Sequence, residues 1–247
     1  MFKTLGDSSR FIYFQDSMVM KITVLLSGGL DSSTCLALAV KRYGAENVSA
    51  LCIHYGQKHE KELKSAAAVA EYYGVKLTTL NLADIFSGSN CSLMKGSTES
   101  IDHRSYAEQL NEKGGSGTVS TYVPFRNGIM LSAAAGIAQI HGASEVWYGA
   151  HRDDAAGRVY PDCSEEFVKH MGNAIFEGTG GEIRLYAPFI DKNKADIVKT
   201  GLELGVPYEL TWSCYEGGEK PCGTCGTCID RSNAFRLNNA TDPLLAE

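Results

Sequence analysis

The sequence has no apolar run of the roughly 18 residues that a membrane-spanning helix needs. It also lacks an excess of basic residues, because its formal net charge is −6, and this balance predicts no nucleic-acid-binding face. Asp7, Arg10 and Asp16 interrupt residues 1–20, which therefore lack the apolar core of a signal peptide. We expect a cytoplasmic protein with no nucleic-acid or membrane partner, and we interpret residues 1–20 as an N-terminal extension.

Several common site signatures are absent as well. No GxCxG nucleophile elbow of a glutaminase occurs, and the six histidines are scattered without the spacing of metal ligands. The apolar content of 44% and the charged content of 21% are ordinary for a globular protein with a packed core. A chain of 247 residues is long enough for one large α/β domain with a small appendage.

The segment SGGLDSS at 27–33 joins an apolar run at 21–26 to a helix-like run at 34–43. Its glycines allow a tight turn and close approach of a ligand, and the free N–H groups at a helix start attract phosphate. A Walker loop would carry a lysine, which is absent here. The segment resembles the pyrophosphate loop of the ATP pyrophosphatase superfamily; the alternative is a plain turn that caps a helix. The resemblance predicts nucleotide contacts from Leu26, Ser27, Gly28, Gly29, Leu30, Asp31, Ser32 and Ser33.

Strand patterns alternate with helix patterns along the middle of the chain. The alternation predicts an α/β fold with a doubly wound, mostly parallel sheet. Ligands bind at the carboxyl ends of the strands in such sheets, so the segments that follow strands should line one crevice. His54 ends one of these strands and is either a ligand contact or a structural histidine. The predicted strands span 21–26, 48–53, 75–82 and 144–150, and the predicted helices span 34–43, 58–74 and 126–142.

Residues 87–121 break this alternation and are rich in serine, glycine and asparagine. An insertion of this length is usually a lid or a mobile functional loop. We predict no secondary structure in it. The nucleotide-binding α/β domain is predicted to span 21–205 and to contain this insertion.

Four of the eight cysteines form the pattern C-x7-C-x2-C-x2-C at Cys214, Cys222, Cys225 and Cys228. Four thiolates on short loops suit a tetrahedral structural zinc ion, which orders a segment too small for its own core. An iron–sulfur cluster and a redox or disulfide pair are the alternatives. We predict a C-terminal zinc-binding subdomain at 206–247.

Three further segments carry candidate site residues. Asp162 in YPDC (160–163) precedes a helix-like run, which it would cap unless it contacts a ligand. Cys163 is a candidate nucleophile, although a small buried cysteine is commoner. Arg126 and Lys194 each place positive charge at a predicted helix start, against the helix dipole. A bound anion would make that charge favourable, and the alternative in each case is a solvated side chain.

These segments together resemble the 7-cyano-7-deazaguanine synthase family of the queuosine precursor pathway. The resemblance covers about 21–236 through SGGLDSSTCL, HYGQKH, VPFRN, YPDC, DKNKADI, SCYEGG and CGTCGTCIDR. It implies a ligase that forms carbon–nitrogen bonds: 7-carboxy-7-deazaguanine becomes the nitrile with ATP, Mg²⁺ and free ammonia. It also implies a homodimer. One departure is Gly157-Arg158-Val159 before YPDC, where some relatives have glycine directly before the tyrosine.

The resemblance also implies roles for individual residues. Ser27, Asp31, Ser32, Arg126 and Lys194 would act on the phosphates and the reacting carboxylate, with Asp31 helping to hold Mg²⁺, while His54 would belong to the nucleotide site. The base would contact Asp153, Tyr160 and Asp162. The rival functions are a tRNA-modifying enzyme with the same loop, an enzyme that transfers a deazaguanine to a protein, and a non-enzymatic zinc module.

Overall fold

A computed structural model describes residues 20–245 of the chain. The predicted extension at 1–20 therefore lies outside the described residues except for Met20. The fold is built on one five-stranded sheet. Its strands are β1 (Ile22–Leu25), β2 (Val48–His54), β3 (Lys76–Asn81), β4 (Glu145–Trp147) and β5 (Arg184–Tyr186).

The strands are all parallel and lie in the order β3-β2-β1-β4-β5. Ile22 of β1 is in register with Val48 on one side and with Glu145 on the other. The connections run outward in opposite directions from this central strand. The carboxyl ends of β1 and β4 therefore flank a topological switch point, where ligands bind in doubly wound sheets.

Helices cover both faces of the sheet. They are α1 (Leu30–Tyr43), α2 (Lys61–Tyr72), α3 (Tyr106–Glu112), α4 (Arg126–Ile140), α5 (Arg152–Ala155), α6 (Glu165–Gly178), α7 (Lys194–Leu204) and α8 (Gly226–Leu237). Side chains of α1, α2, α7 and α8 share a core with one face of β1 and β2. Those of α4 and α6 share a second core with the other face. Successive strand residues point to opposite faces, which is why Cys52 and Ile53 belong to different cores.

The sequence-based fold prediction is confirmed in its class and in the four predicted strands. The short strand β5 and the helices α3 and α8 were not predicted. Residues 87–121 contain the whole of α3, which begins at a capping box formed by Ser105 and Glu108, so the prediction of no secondary structure in this segment is wrong. Asp162 does not cap α6; Ser164 does, because its hydroxyl accepts the Phe167 amide at 3.2 Å. The division at residue 205 remains a prediction.

None of the helices among residues 20–245 has the length and apolar character that crossing a membrane would need.

Gly28 is the residue of the loop after β1 whose replacement we expect to damage folding most. Its φ is +85°, and a Cβ there would lie 2.3 Å from the Glu62 carbonyl oxygen and 2.5 Å from the Ala66 amide. A residue with a side chain in the left-handed backbone conformation destabilises the fold by about 1–2 kcal/mol. The steric overlap of the added Cβ destabilises it by roughly 1–3 kcal/mol more. Gly28→Ala should therefore lower the free energy of unfolding by about 2–5 kcal/mol in denaturant titrations.

The matched control is Gly29→Ala in the same loop. Gly29 has an ordinary φ of −78°, and its added Cβ would meet only the Ser27 Oγ at 3.4 Å and the Trp212 carbonyl oxygen at 3.6 Å. We expect its unfolding free energy to stay within about 1 kcal/mol of the wild type, because neither backbone strain nor overlap is introduced. Equal effects of the two substitutions would contradict the steric explanation.

Candidate active site

A cavity of about 220 Å³ lies at the carboxyl end of the sheet, beside the switch point. The loop after β1, the segment after β4 and the start of α7 form one end of it. The start of α4, the first turn of α2 and an aromatic group form the other. The lining includes Leu26, Ser27, Gly29, Leu30, Asp31, Ser32, Tyr55, Gln57, Glu62, Tyr106, Arg126, Asn127, Met130, Tyr148, Gly149, Asp154, Tyr160, Cys163, Lys194, Trp212, Ser213, Tyr215, Thr227 and Asp230.

The loop after β1 is held in shape by its own serines. The Ser32 hydroxyl accepts the Ser27 amide at 3.1 Å and lies 2.9 Å from the Ser27 hydroxyl. Ser27 Oγ in turn accepts the Gly29 amide at 3.3 Å. Because α1 starts directly after this loop, its first amides face the cavity with no partner inside the helix. The arrangement is a nest of N–H and O–H donors suited to a phosphate group.

Asp31 and Lys194 form an ion pair at the same end of the cavity. Lys194 Nζ donates to Asp31 Oδ2 at 2.7 Å and lies 3.1 Å from Nε2 of the buried His151. Burial opposes the charged form of Lys194, but Asp31 and Asp154 outweigh it and raise the pKa of the ammonium. Burial likewise opposes ionised Asp31, yet Lys194 and His151 bring its pKa below the ordinary value. Both groups are therefore charged at neutral pH.

One oxygen of this pair has no hydrogen-bond partner within the described part of the chain. Asp31 Oδ1 is buried and makes no hydrogen bond to any residue between 20 and 245. A buried carboxylate oxygen normally has a partner, and a free one beside a phosphate-binding loop suits a divalent cation with oxygen ligands. Asp154 and Asp230 line the same end. Burial raises the pKa of Asp230 to about 6, although Lys194 opposes that shift.

Arg126 is the basic residue of the other end. It begins α4, and its guanidinium carbon lies 5.0 Å from the centroid of the Tyr55 ring. The helix start is fixed by Asp162, whose carboxylate accepts the Asn127 amide at 2.8 Å. The Asn127 side chain also donates to the Asp162 carbonyl oxygen at 3.3 Å. Asp162 therefore anchors the helix that presents Arg126.

Three tyrosine hydroxyls meet beside Arg126, and we call Tyr106, Tyr160 and Tyr215 the phenol cluster. Tyr106 and Tyr215 are 2.8 Å apart, and Tyr160 lies 3.2 Å from each of them. Thr121 Oγ1 lies 2.6 Å from the Tyr160 hydroxyl. The three residues come from α3, the YPDC segment and the cysteine-rich segment. The cluster thus ties three distant stretches of chain together at the cavity wall.

Glu62 lines the cavity from the first turn of α2, and burial raises the pKa of its carboxyl to about 7, although Arg126 opposes the shift. The folded protein therefore binds this proton more tightly than the unfolded chain. The stability that this raised pKa contributes to the folded protein is fully present below about pH 4.5 and is lost as the pH rises through about 7. We expect Glu62→Gln to become more stable relative to wild type across that window, measured as melting temperature against pH.

The control for this measurement is Glu71→Gln, at an exposed position on the same helix. The melting temperature of this variant should follow that of the wild type at every pH, because replacing an exposed side chain changes stability little. Parallel curves for wild type and Glu62→Gln would contradict the raised pKa.

The four clustered cysteines are brought together as the sequence predicted. Their sulfur atoms all lie within 4.8 Å of one another. Cys225 directly precedes α8 as its N-cap residue, and Gly223, with φ +74°, makes the turn before it. Four soft donors and no open position match the closed geometry of a structural metal site. No disulfide joins any of the eight cysteines.

The cysteine cluster is connected to the cavity through the residues around Cys214. The Trp212 amide donates to the Gly28 carbonyl oxygen at 2.9 Å, and the Trp212 indole donates to the Cys214 carbonyl oxygen at 2.8 Å. Trp212, Ser213 and Tyr215 all line the cavity. A metal at the cysteines would therefore hold one wall of the cavity in place.

The structure brings most of the predicted site residues to one cavity. Ser27, Gly29, Leu30, Asp31, Ser32, Arg126, Tyr160 and Lys194 line it, as does Leu26. Gly28 and Ser33 lie behind this surface, and Ser33 is fully buried. The Cys163 thiol also lines the cavity, but burial raises its pKa well above the ordinary value, so it is not a ready nucleophile.

Three other predicted residues do not line the cavity. His54 Nδ1 lies 3.1 Å from Asn81 Oδ1. Asp153 Oδ2 accepts the Lys194 amide at 2.8 Å and so supports the start of α7. Asp162 is 3% exposed and is occupied by Asn127. In this structure Oδ2 of each aspartate holds a helix start, and neither residue lines the cavity.

The segments 54–59 and 150–154 follow strands and were expected to line the crevice, and Tyr55, Gln57 and Asp154 of these segments do line it. Sequence reasoning missed other cavity residues, including Glu62, Tyr106, Tyr215 and Asp230. Tyr215 lies within the cysteine pattern and Asp230 just after it, and neither residue carried a signal of its own. Tyr106 lies in the segment that was predicted to lack structure.

The fold has a solved counterpart in the NMN synthetase of Francisella tularensis. The TM-score is 0.50 at 16% identity, and the match covers 91% of this chain and 79% of that one. A likeness at this identity concerns the fold alone.

Sequence relatives are much closer. A 7-cyano-7-deazaguanine synthase from Archaeoglobus fulgidus is 46% identical, over 92% of this chain and 91% of its own length. A synthase of the same name from Pseudoalteromonas atlantica is 41% identical over 92% and 99%. The family described as "Queuosine biosynthesis protein QueC" matches residues 21–239, which include the phosphate-binding loop, the cavity residues named above and all four clustered cysteines. This chain belongs to the QueC family of queuosine biosynthesis proteins.

Proposed function

We propose that this protein is a 7-cyano-7-deazaguanine synthase, which converts 7-carboxy-7-deazaguanine and ammonia into the nitrile with ATP. The observation that carries the proposal is a single cavity in which the SGGLDSS loop faces Arg126, Tyr160 and Cys163. A phosphate-binding loop and an aromatic compartment in one small cavity allow a nucleotide and a flat base to meet. The identity to relatives that bear this name supports the same substrates.

The chemistry begins with a carboxylate, which is a poor electrophile because its oxygen does not leave. A carboxylate oxygen attacks the α-phosphorus of ATP, and the bond to pyrophosphate breaks, which gives an acyl-adenylate. Ammonia attacks the acyl carbon, loses a proton and expels AMP to leave the amide. The amide oxygen then attacks the α-phosphorus of a second ATP, and pyrophosphate departs. Loss of AMP and of the two protons on the amide nitrogen gives the nitrile. Each carboxylate oxygen therefore leaves on an AMP.

The chain's own residues would stabilise the charge that builds on the phosphates in both activations. The free amides after Ser27 and the serine hydroxyls provide donors, and Lys194 provides a fixed positive charge. Preorganised donors of this kind act strongly in a site that excludes water. The loop would thus favour departure of pyrophosphate in each step.

Two metal ions belong to the proposal. The free Oδ1 of Asp31 would hold Mg²⁺, which neutralises phosphate charge when it is bound. The four cysteines would hold a structural zinc ion. The absence of disulfides suits the reducing cytoplasm, where we place the enzyme. We also retain the homodimer that the family resemblance implies.

The experiment is a turnover assay with purified protein, 7-carboxy-7-deazaguanine labelled with ¹⁸O in its carboxylate, ATP, Mg²⁺ and ammonium. Mass spectrometry should detect the nitrile and two AMP molecules per nitrile, each carrying one ¹⁸O. A variant of the loop, Ser32→Ala, serves as the control and should form both products more slowly. The label identifies adenylation, because hydrolysis of ATP by water would give unlabelled AMP.

Other outcomes would assign other functions. Labelled AMP without nitrile would retain adenylation but direct the acyl group to another acceptor, such as a protein. Absence of any AMP that depends on the base, from folded and metal-loaded protein, would overturn the proposed function.

A further inference from the structure

Two basic side chains line the cavity, and they differ in how their charge is balanced. Lys194 is paired with Asp31 at 2.7 Å. Arg126 pairs with no carboxylate of residues 20–245, whereas the buried Arg231 elsewhere in the fold is held by Asp242 at 2.6 Å. A guanidinium remains protonated in proteins. An unpaired guanidinium that faces a cavity points to an anionic ligand.

The nearest groups do not neutralise Arg126. The Tyr55 ring stacks against the Arg126 guanidinium, with its centroid 5.0 Å from the guanidinium carbon, and the phenol cluster lies beside the guanidinium. Phenols are neutral at physiological pH because their ordinary pKa is near 10. Two carboxyls lie near Arg126: Asp162, whose Oδ2 accepts the Asn127 amide, and Glu62, whose pKa burial raises to about 7. Among residues 20–245 neither of them forms an ion pair with Arg126. The positive charge at this end of the cavity is therefore available to a ligand.

The hydroxyls of the phenol cluster are occupied by one another. Tyr106, Tyr160, Tyr215 and Thr121 have four hydroxyl protons, and four contacts of 2.6–3.2 Å join the four groups. The cluster can satisfy itself without a ligand. It acts as an aromatic wall that fixes the shape of this end, while Arg126 provides the directional contact. An aromatic wall and a cationic fork suit a flat ring that bears a carboxylate.

We propose that Arg126 binds the carboxylate of 7-carboxy-7-deazaguanine and selects the acid over its neutral products. The inference rests on the proposed function. The phosphates of ATP have their own donors in the SGGLDSS loop and Lys194, so Arg126 is left for the other anion. A planar guanidinium binds a carboxylate through two parallel hydrogen bonds, which the nitrile cannot form.

The experiment compares binding of three ligands by calorimetry: the acid, the nitrile with the same ring, and a non-hydrolysable ATP analogue with Mg²⁺. Arg126→Gln should weaken binding of the acid by about 10–100-fold, which is the effect of losing a charge-assisted hydrogen bond. Its affinities for the nitrile and the nucleotide should change by less than about threefold. Arg126→Lys should lie between, since it keeps the charge and loses the fork. The control is Arg236→Gln, at an exposed position on α8.

Each alternative result has a definite meaning. A loss of nucleotide affinity with unchanged acid affinity would assign Arg126 to a phosphate and overturn the inference. Equal losses for acid and nitrile would assign it to the ring or to packing, with the same consequence. If Arg126→Gln does not fold, the folded variant Arg126→Lys provides the test. It must bind the acid more weakly than the wild type does while its affinity for the nitrile is unchanged, or the inference fails. A wild-type protein that binds neither deazaguanine but binds nucleotide would overturn the proposed function itself.

Discussion

Cys225→Ser is expected to remove the structural metal and, with it, most of the activity. Wild-type protein should contain about one zinc ion per chain by elemental analysis, and the variant almost none, because a closed tetrahedral site needs all four thiolates. Structural zinc contributes on the order of 10 kcal/mol to the folding of small modules, so the melting temperature should fall by about 10 °C or more. Activity should fall too, because Trp212 links this segment to Gly28 of the phosphate loop.

The matched control is Cys91→Ser. Cys91 is buried in the same apolar cluster as Cys225 but is not one of the four clustered cysteines. This variant should keep its zinc, and its stability should decline only by the cost of burying a hydroxyl, about 1–3 kcal/mol. Wild-type protein that carries iron and a visible absorption band would show instead that the cysteines hold an iron–sulfur cluster.

Lys194→Met is expected to reduce kcat by about 10²–10³-fold, the usual effect of removing one preorganised group that stabilises transition-state charge. The side chain is 14% exposed and donates to Asp31 at 2.7 Å. Its removal also deprives the partly buried Asp31 carboxylate of its ion-pair partner, which costs up to about 3–5 kcal/mol of stability. The measurement is AMP formation at saturating ATP and base, at a temperature where the variant is folded by circular dichroism.

Two further variants separate catalysis from stability. Lys192→Met changes an exposed lysine two positions away, which pairs only with Asp191, and its kcat should stay within about twofold of wild type. The double variant Asp31→Asn/Lys194→Met removes the unpaired charge and should recover much of the lost stability but none of the activity. A single variant Lys194→Met with normal kcat would contradict a role for Lys194 in either activation.

The fold class followed from the sequence because local patterns and global topology agree in the first half of the chain. β1, β2 and α1 show the buried runs and helical spacing that their positions in the sheet require. β4 and β5 both have three residues, but β4 buries two of them whereas Arg184 and Tyr186 of β5 are exposed, so β5 lacks the apolar run of a buried strand. The apolar pattern of α8 is interrupted by Cys228 of the cysteine cluster, so the helix could not be predicted from periodicity.

The site was predicted best where one short motif holds several of its residues. The SGGLDSS loop and the four cysteines were brought together as expected, because spacing alone determines such local arrangements. The phenol cluster was not predictable, since its members are 54 and 55 residues apart and depend on the tertiary fold. For Asp153 and Asp162 the sequence predicted a role that differs from their role in the structure. Their sequence positions suggested ligand contacts, whereas they hold the starts of α7 and α4.

The phenol cluster has a consequence for the order in which the protein becomes active during synthesis. Its members lie at positions 106, 160 and 215, so the wall that they form cannot exist until the third of them has left the ribosome and folded. The phosphate loop at 27–33 is made much earlier. A partly synthesised chain would therefore carry this loop without the aromatic wall, and the complete cavity can form only when the chain is nearly finished.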